Sequence, residues 1–340
     1  MDPVARRKLG RTNIRLTQLG FGGAGLGDLF DVVDDAEASA TLRAAWDAGI
    51  RYYDTSPWYG RGQSEHRFGR ALYRRPRTDY VLSTKVGRLF RAFHDAEHFE
   101  HGFWRGGLKF QHRFDYSYDG VMRSFEDSLQ RLGLPRIDLL LIHDLDFSHH
   151  ATDAKVTAYL TELHNGGFRA LTELRQAGLI GGVGAGINEH GMIPRFLDLL
   201  DVDFFLVAMP YTLLDTDVLD SEFLRCSTRE VGFVIGAPFA SGILATGAVP
   251  GARYRYAEAT AEILAKVKRI EAVCSRHKVP LPAAALQFPL GHPSVAAVIP
   301  GALLPEQVVR NVDTFRHPIP SDFWAELKHE GLLRRDAPVP

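Results

Sequence analysis

Residues 50–56 read Ile-Arg-Tyr-Tyr-Asp-Thr-Ser, a short apolar and aromatic run that stops on a carboxylate. Aromatic and β-branched residues fit a pleated strand, and a polar cluster at its end marks the stop. The same grammar recurs along the chain, giving eight candidate strands at 16–21, 50–53, 80–85, 137–142, 181–183, 204–208, 232–235 and 296–299. Between them lie longer runs with apolar residues three and four apart, the spacing of one helix face, at 35–48, 118–132, 167–177, 192–200, 257–277 and 305–315. Strands alternating with helices imply a parallel sheet, and eight such units imply a (β/α)8 TIM barrel of the α/β class. The punctuation agrees: Asp34 with Glu37 reads as a helix-opening box, and Gly49 and Gly178 read as helix closures.

A chain of 340 residues is long for one domain, but barrels carry such lengths around a single core, so one domain over residues 1–340 is expected. The 40 basic and 41 acidic side chains cancel. No overall field then favours nucleic acid or an anionic membrane, and the expected partner is a small molecule. Two cysteines, Cys226 and Cys274, are too few for a disulfide scaffold and fit a reducing compartment. With no apolar run behind Arg6, Arg7 and Lys8 and no membrane-length apolar stretch, the expected location is the cytoplasm. The oligomeric state is not legible.

Residues 87–116 and 144–166 break the repeat and read as long loops after the third and fourth strands. The first holds Phe90, Phe93, Phe99, Phe103, Trp104, Phe110 and Phe114. Loops after barrel strands build the active face, so this aromatic insertion is placed to shape a substrate pocket, with Trp58 and Trp104 as expected substrate contacts. Its histidines, His94, His98 and His101, have helical spacing, but none ends a strand and no metal site is expected. Gly20-Phe21-Gly22-Gly23-Ala24-Gly25 has the spacing of a dinucleotide fingerprint. In that motif the last glycine opens a helix, whereas here the capping signal waits until Asp34, so a barrel-mouth loop is the better reading.

Four polar residues fall at or just beyond the ends of successive candidate strands: Asp54, Tyr59, Lys85 and His143. A lysine and an aspartate that both end apolar strands are partly desolvated, and each needs an opposite charge in the barrel mouth. Asp-Thr-Ser-x-x-Tyr-Gly at 54–60 followed by Ser64-Glu65, Ser-Thr-Lys-Val at 83–86 and Ile-His at 142–143 resemble the active-site segments of the aldo-keto reductases, and the resemblance covers nearly the whole chain. It implies that Tyr59 exchanges the proton, that Lys85 paired with Asp54 tunes it, and that His143 orients the substrate oxygen. A free phenol is a poor base at neutral pH, and a neighbouring ammonium favours its phenolate.

The resemblance also implies a nicotinamide cofactor. Tyr211 matches the aromatic that stacks on the ring; Ala237, Pro238, Phe239, Ser241, Gly242 and Leu244 belong to a loop similar to the one that wraps the pyrophosphate; Gly301, Gln307 and Asn311 resemble the adenosine end. The chain departs from the family at 184–188, where a Ser-Asn pair is usual and Asn188 is the substitute for holding the carboxamide, and at Ala208, where glutamine is usual. Residues 301–307 carry no lysine or arginine and do carry Glu306. A ribose 2′-phosphate lacks a charge-assisted partner there, so NAD is expected over NADP. Within the family the chain is similar to bacterial aldose 1-dehydrogenases, which oxidise sugars such as L-fucose or D-arabinose at C1 to lactones, and to pyridoxal dehydrogenases. The first implies aldose oxidation and the second oxidation of pyridoxal to 4-pyridoxolactone; a non-catalytic nicotinamide-binding scaffold is the remaining alternative.

Overall fold

The computed structural model describes all 340 residues. Eight parallel strands, β3 (Phe21–Gly22), β4 (Tyr52–Asp54), β5 (Val81–Val86), β8 (Leu139–Ile142), β9 (Gly182–Ile187), β10 (Phe204–Ala208), β11 (Gly232–Gly236) and β14 (Val295–Ile299), pair in chain order. The last meets the first: the Gly20 amide donates to Val298 O at 2.9 Å and the Gly22 amide to Pro300 O at 3.0 Å, closing the barrel. This is the expected (β/α)8 architecture. The other strands lie outside this wall: a hairpin of β1 (Arg6–Lys8) and β2 (Arg15–Thr17), one of β6 (Arg88–Ala92) and β7 (Phe110–Phe114), and one of β12 (Arg253–Tyr254) and β13 (Ala257–Glu258).

Period-two alternation sorts the strand side chains. Tyr52, Leu139, Leu141, Phe204, Leu206, Val234 and Ile299 fill the barrel interior together with Leu9 and Leu16 from the first hairpin. The opposite set, including Tyr53, Leu82, Leu140, Ile142, Val183, Phe205 and Val207, packs outward under the helices. Continuing the inward set by one step brings Asp54, Lys85, His143, Asn188 and Ala208 to the carboxyl-terminal mouth. The polar residues that close the strands therefore share one face because of their parity.

Four local expectations change. The candidate strand at 16–21 divides: Arg15–Thr17 pairs with Arg6–Lys8, and only Phe21–Gly22 enters the barrel wall. Residues 144–166 are mostly helical, with short helix Phe147–His150 and helix Asp153–Glu162 running through one wide turn, Leu163–Gly167, into helix Phe168–Gln176. Gly166-Gly167 reads as a break, yet packing on Tyr116 and Tyr118 carries the helix across it. The helix expected from 257 begins at Ala261, where Thr260 caps it, because Ala257–Glu258 pair with Arg253–Tyr254. Helices Gln63–Leu72, Leu281–Gln287 and Ser321–His329 join those read from the sequence. The glycine-rich stretch at 20–25 is a strand and a mouth loop, and the following helix opens at Asp34, whose carboxylate accepts the Ala36 and Glu37 amides.

Candidate active site

Asp54 and Lys85, on neighbouring strands, form a buried ion pair: Lys85 Nζ lies 2.8 Å from Asp54 Oδ2 and also donates to Thr55 O at 2.7 Å. Their side chains are 2% and 1% exposed, so each charge depends on the other. Ser83 Oγ donates to the second carboxylate oxygen at 2.7 Å. The ammonium lies 4.6 Å from the centroid of the Tyr59 ring. His143 stands edge-on to that ring, with centroids 5.8 Å apart, and its Nδ1 is 3.1 Å from Ser56 Oγ. The structure thus brings Asp54, Tyr59, Lys85 and His143 together at one point of the mouth.

Tyr59 follows β4 on a tight turn. Gly60 has φ +64°, and a Cβ there would lie 2.5 Å from Gly27 O, while a Cβ on Gly27 would lie 2.5 Å from the carbonyl carbon of Tyr59. Two backbones in contact, with no side chain between them, fix the phenol's position. Its hydroxyl makes no hydrogen bond to protein and faces the cavity.

Burial pushes the Tyr59 phenol well above its ordinary range, and the negative charge of Asp54 adds to this. The expected net lowering by Lys85 is thus reversed: an ammonium closed onto a carboxylate presents the phenol with a dipole, and desolvation governs. Burial also pushes His143 down to about 3, so the ring is neutral at physiological pH. Burial raises Asp54 too, more than Lys85 and Ser83 lower it.

A cavity of about 550 Å³ opens above these residues. Leu29, Phe30, Trp58, Phe103, Trp104, Leu206, Met209 and Tyr256 give it an aromatic and aliphatic wall, and Asp144, His149, Asn188 and Glu189 form one polar flank. Trp58 and Trp104, the expected substrate contacts, meet edge-to-face at 6.1 Å, and Trp104 lies 5.7 Å from Tyr59. The polar flank was not legible in the sequence. Arg88, between Trp58 at 4.1 Å and Phe114 at 4.2 Å, binds Asp144 Oδ2 at 2.6 Å. Asn188 donates from Nδ2 to Asp144 at 3.3 Å and Asp146 at 3.0 Å. The insertion histidines do not converge, since His98 turns to Asp95.

The expected cofactor residues separate into two groups. Gly186 and Ala208, at the mouth ends of β9 and β10, line the cavity with little or no side chain. Beside it Ala237, Pro238, Phe239, Ser241, Gly242 and Leu244 form an irregular loop in which Ala237, Ala240, Ser241 and Gly242 have positive φ; the Ala240 amide donates to Ala237 O, and the Gly242 and Leu244 amides donate to Phe239 O. Hairpin β12–β13 is tied to it by the Tyr256 amide donating to Ser241 Oγ at 3.0 Å. Gly301 follows β14 and Asn311 lies on helix Pro305–Arg316. By contrast, Tyr211 is fully buried behind the wall against Phe223 and Phe288, and Met209 faces the cavity instead. Met209 is left-handed, at φ +81°, where β10 ends; Tyr211 keeps the outward parity of Phe205 and Val207 and packs in the outer core, so the side chain that the resemblance assigned to the ring does not reach the cavity here. Gln307 accepts the Leu303 and Leu304 amides at 2.6 and 3.4 Å, so its side chain caps its own helix.

Residues 18–330 match the family model described as the aldo/keto reductase family. The chain is 46% identical to pyridoxal 4-dehydrogenase of Microbacterium luteolum over 338 residues, covering 96% of this chain and 98% of that protein. It is 36% identical to D-threo-aldose 1-dehydrogenase of a Pseudomonas species, covering 94% and 95%. Among solved structures, the holo form of an aldo-keto reductase from Bacillus halodurans superposes with a TM-score of 0.75 at 24% identity, over 99% of this chain and 98% of that one, a likeness of fold.

Proposed function

Because the chain belongs to the aldo/keto reductase family, nicotinamide-dependent oxidoreductases acting on CH–OH groups, we propose that it oxidises a cyclic hemiacetal to a lactone, with pyridoxal preferred over an aldose and NAD preferred over NADP. The observation that carries the choice of substrate is the cavity wall. A flat heteroaromatic ring is matched by Trp58, Phe103, Trp104 and Tyr256, whereas a sugar needs partners for several hydroxyls and finds them on one flank, along Asp144, Ser148, His149, Asn188 and Glu189, and at Arg255. The 46% identity to a pyridoxal dehydrogenase points the same way. That polar flank and the 36% identity to an aldose dehydrogenase favour the second reading, the aldose first suggested by the sequence.

In this reading the hemiacetal hydroxyl lies between Tyr59 and His143. Tyr59, as its phenolate, takes the hydroxyl proton as the C–H bond breaks, and neutral His143 donates from Nε2 to the same oxygen as it becomes a carbonyl. Lys85, held by Asp54 and Thr55, keeps a positive charge against the Tyr59 ring. The aromatic wall excludes water from the reacting carbon. Ala237 to Leu244 and Asn188 hold the cofactor, which supplies the hydride acceptor. The preference for NAD rests on the absence of a cation at 301–307 and the presence of Glu306.

The test is NAD reduction, followed by absorbance, with pyridoxal, L-fucose and D-arabinose, each repeated with NADP. Pyridoxal is expected to give the highest kcat/KM, and Tyr59→Phe to lose about 10²–10⁴ of it. A sugar with the higher value replaces the substrate assignment, equal efficiency with NADP removes the cofactor preference, and an active Tyr59→Phe overturns the chemistry.

A further inference from the structure

His143 Nε2 is useful to a substrate oxygen only if it carries the proton, and a neutral imidazole has one proton for two nitrogens. Nδ1 faces Ser56, whose hydroxyl donates or accepts equally well and so leaves the choice open. Asp144, the next residue, lies on the other side of the ring, with Oδ1 3.4 Å from Nε2. An ionised carboxylate only accepts, so it favours the tautomer with the proton on Nε2. The Trp58 amide donates to Ser56 Oγ at 3.1 Å, which leaves the Ser56 hydroxyl hydrogen free for Nδ1 and agrees with that tautomer.

Asp144 is held for this task. Although burial pushes its carboxyl up, its neighbours His143, Arg88 and His149 together outweigh burial and hold it below the usual carboxylate range. Oδ2 accepts from Arg88 at 2.6 Å and lies 3.5 Å from His149 Nε2; Oδ1 accepts from Asn188 at 3.3 Å. Its backbone sits in the left-handed region, with φ +53°, a conformation that costs energy for a residue other than glycine and persists where the surroundings impose it. The contact to His143 is long enough to leave the Nε2 proton available to the cavity, which Asp144 itself lines.

We propose that Asp144 is a positioning residue that fixes His143 as the Nε2-protonated tautomer, with Arg88 anchoring the carboxylate to the aromatic insertion through Trp58 and Phe114. The proposal rests on the reading that His143 donates to the substrate oxygen, and its test is made independent of turnover. Nitrogen-15 spectra of histidine-labelled protein, assigned with His143→Gln, report the tautomer directly. In the parent protein His143 is expected to be neutral with the proton on Nε2. In Asp144→Asn the near-isosteric amide can turn an N–H toward Nε2, so the proton is expected to move to Nδ1, with kcat falling by about 10²-fold as one donor to the reacting oxygen is lost. Asp144→Glu should restore the tautomer, and Ser56→Ala should leave the proton on Nε2. Since Asp144→Asn strands the Arg88 cation, the Arg88→Gln/Asp144→Asn double variant, which removes both charges, serves as the second test and should show the same shift. A proton that stays on Nε2 in either Asp144→Asn background overturns the proposal. A shifted proton with undiminished kcat overturns instead the donor role of His143.

Discussion

Replacing Asp54 by asparagine isolates the charge of the buried pair from its shape. The amide oxygen still accepts from Lys85 Nζ, which Asp54 Oδ2 meets at 2.8 Å, and the Ser83 hydroxyl, 2.7 Å from the other oxygen and 3.1 Å from Tyr52 OH, can turn to accept from the amide nitrogen. What disappears is the negative charge opposite an ammonium whose side chain is 1% exposed. Removing one partner of a buried pair costs about 3–5 kcal/mol, a large part of the roughly 5–15 kcal/mol that holds a domain folded. With a urea dependence of about 3 kcal/mol per molar for a chain of this size, the unfolding midpoint should fall by about 1 M at unchanged slope. Arg70→Ala is the control: Arg70 and Asp35 are 2.8 Å apart, but their side chains are 58% and 50% exposed, and such a pair is worth about 0–1 kcal/mol. Equal midpoints for the two variants would refute the view that burial gives the Lys85–Asp54 pair its importance.

Gly60→Ala should disturb the site without touching a charge. Its Cβ would meet Gly27 O at 2.5 Å at a φ of +64°, so Tyr59 must move and kcat should fall by about tenfold or more; full activity in Gly60→Ala counts against this constraint. Three histidines are held neutral by burial, His143 down to about 3 and His112 and His292 down to about 4. Between these values and the ordinary 6.5 the unfolded chain binds protons that the folded one does not, so their contribution to stability is present above pH 6.5 and lost as the pH falls toward 4. His292→Phe, in a pocket of Phe223, Phe233 and Tyr211, should lessen that slope in urea unfolding at several pH values, and an unchanged slope argues against a neutral His292.

Strand parity explains which of these features could be read in advance. Asp54, Lys85 and His143 each close an apolar run, so a count by twos puts them on one face without knowledge of any contact. The same count places Tyr211, an odd number of residues after Phe204, with the outward set, where the structure buries it; its stacking role is implied by the resemblance to the family and not by parity. Arg88 and Asp144 draw no notice in the sequence, and His149 draws it only as a metal ligand, because their grouping depends on the fold of two segments. Arg88 lies on a hairpin and His149 on a four-residue helix, and only the fold of both segments over the mouth makes Asp144 their common partner. Residues 144–166 read as a loop because they break the strand–helix repeat, yet they hold helices Phe147–His150 and Asp153–Glu162, and the second continues through Gly166-Gly167, two poor helix formers, into Phe168–Gln176.

The mouth holds two ion pairs, Lys85–Asp54 and Arg88–Asp144, at 2.8 and 2.6 Å. A pair closed on itself acts at a distance as a dipole, so neither supplies the unbalanced positive charge that would make Tyr59 a base, and burial keeps the phenol protonated. On the proposed mechanism Tyr59 must therefore give up its own proton before it can act as a base, and a cation entering the cavity would favour that loss. Oxidised nicotinamide is cationic and the reduced ring is neutral, so the proton affinity of Tyr59 should depend on which form is bound. In weakly buffered solution with a pH indicator, binding of NAD should release more protons above neutral pH than binding of NADH, and Tyr59→Phe should abolish the difference. Equal release by the two forms in the parent protein would mean that Tyr59 does not sense the cofactor's charge.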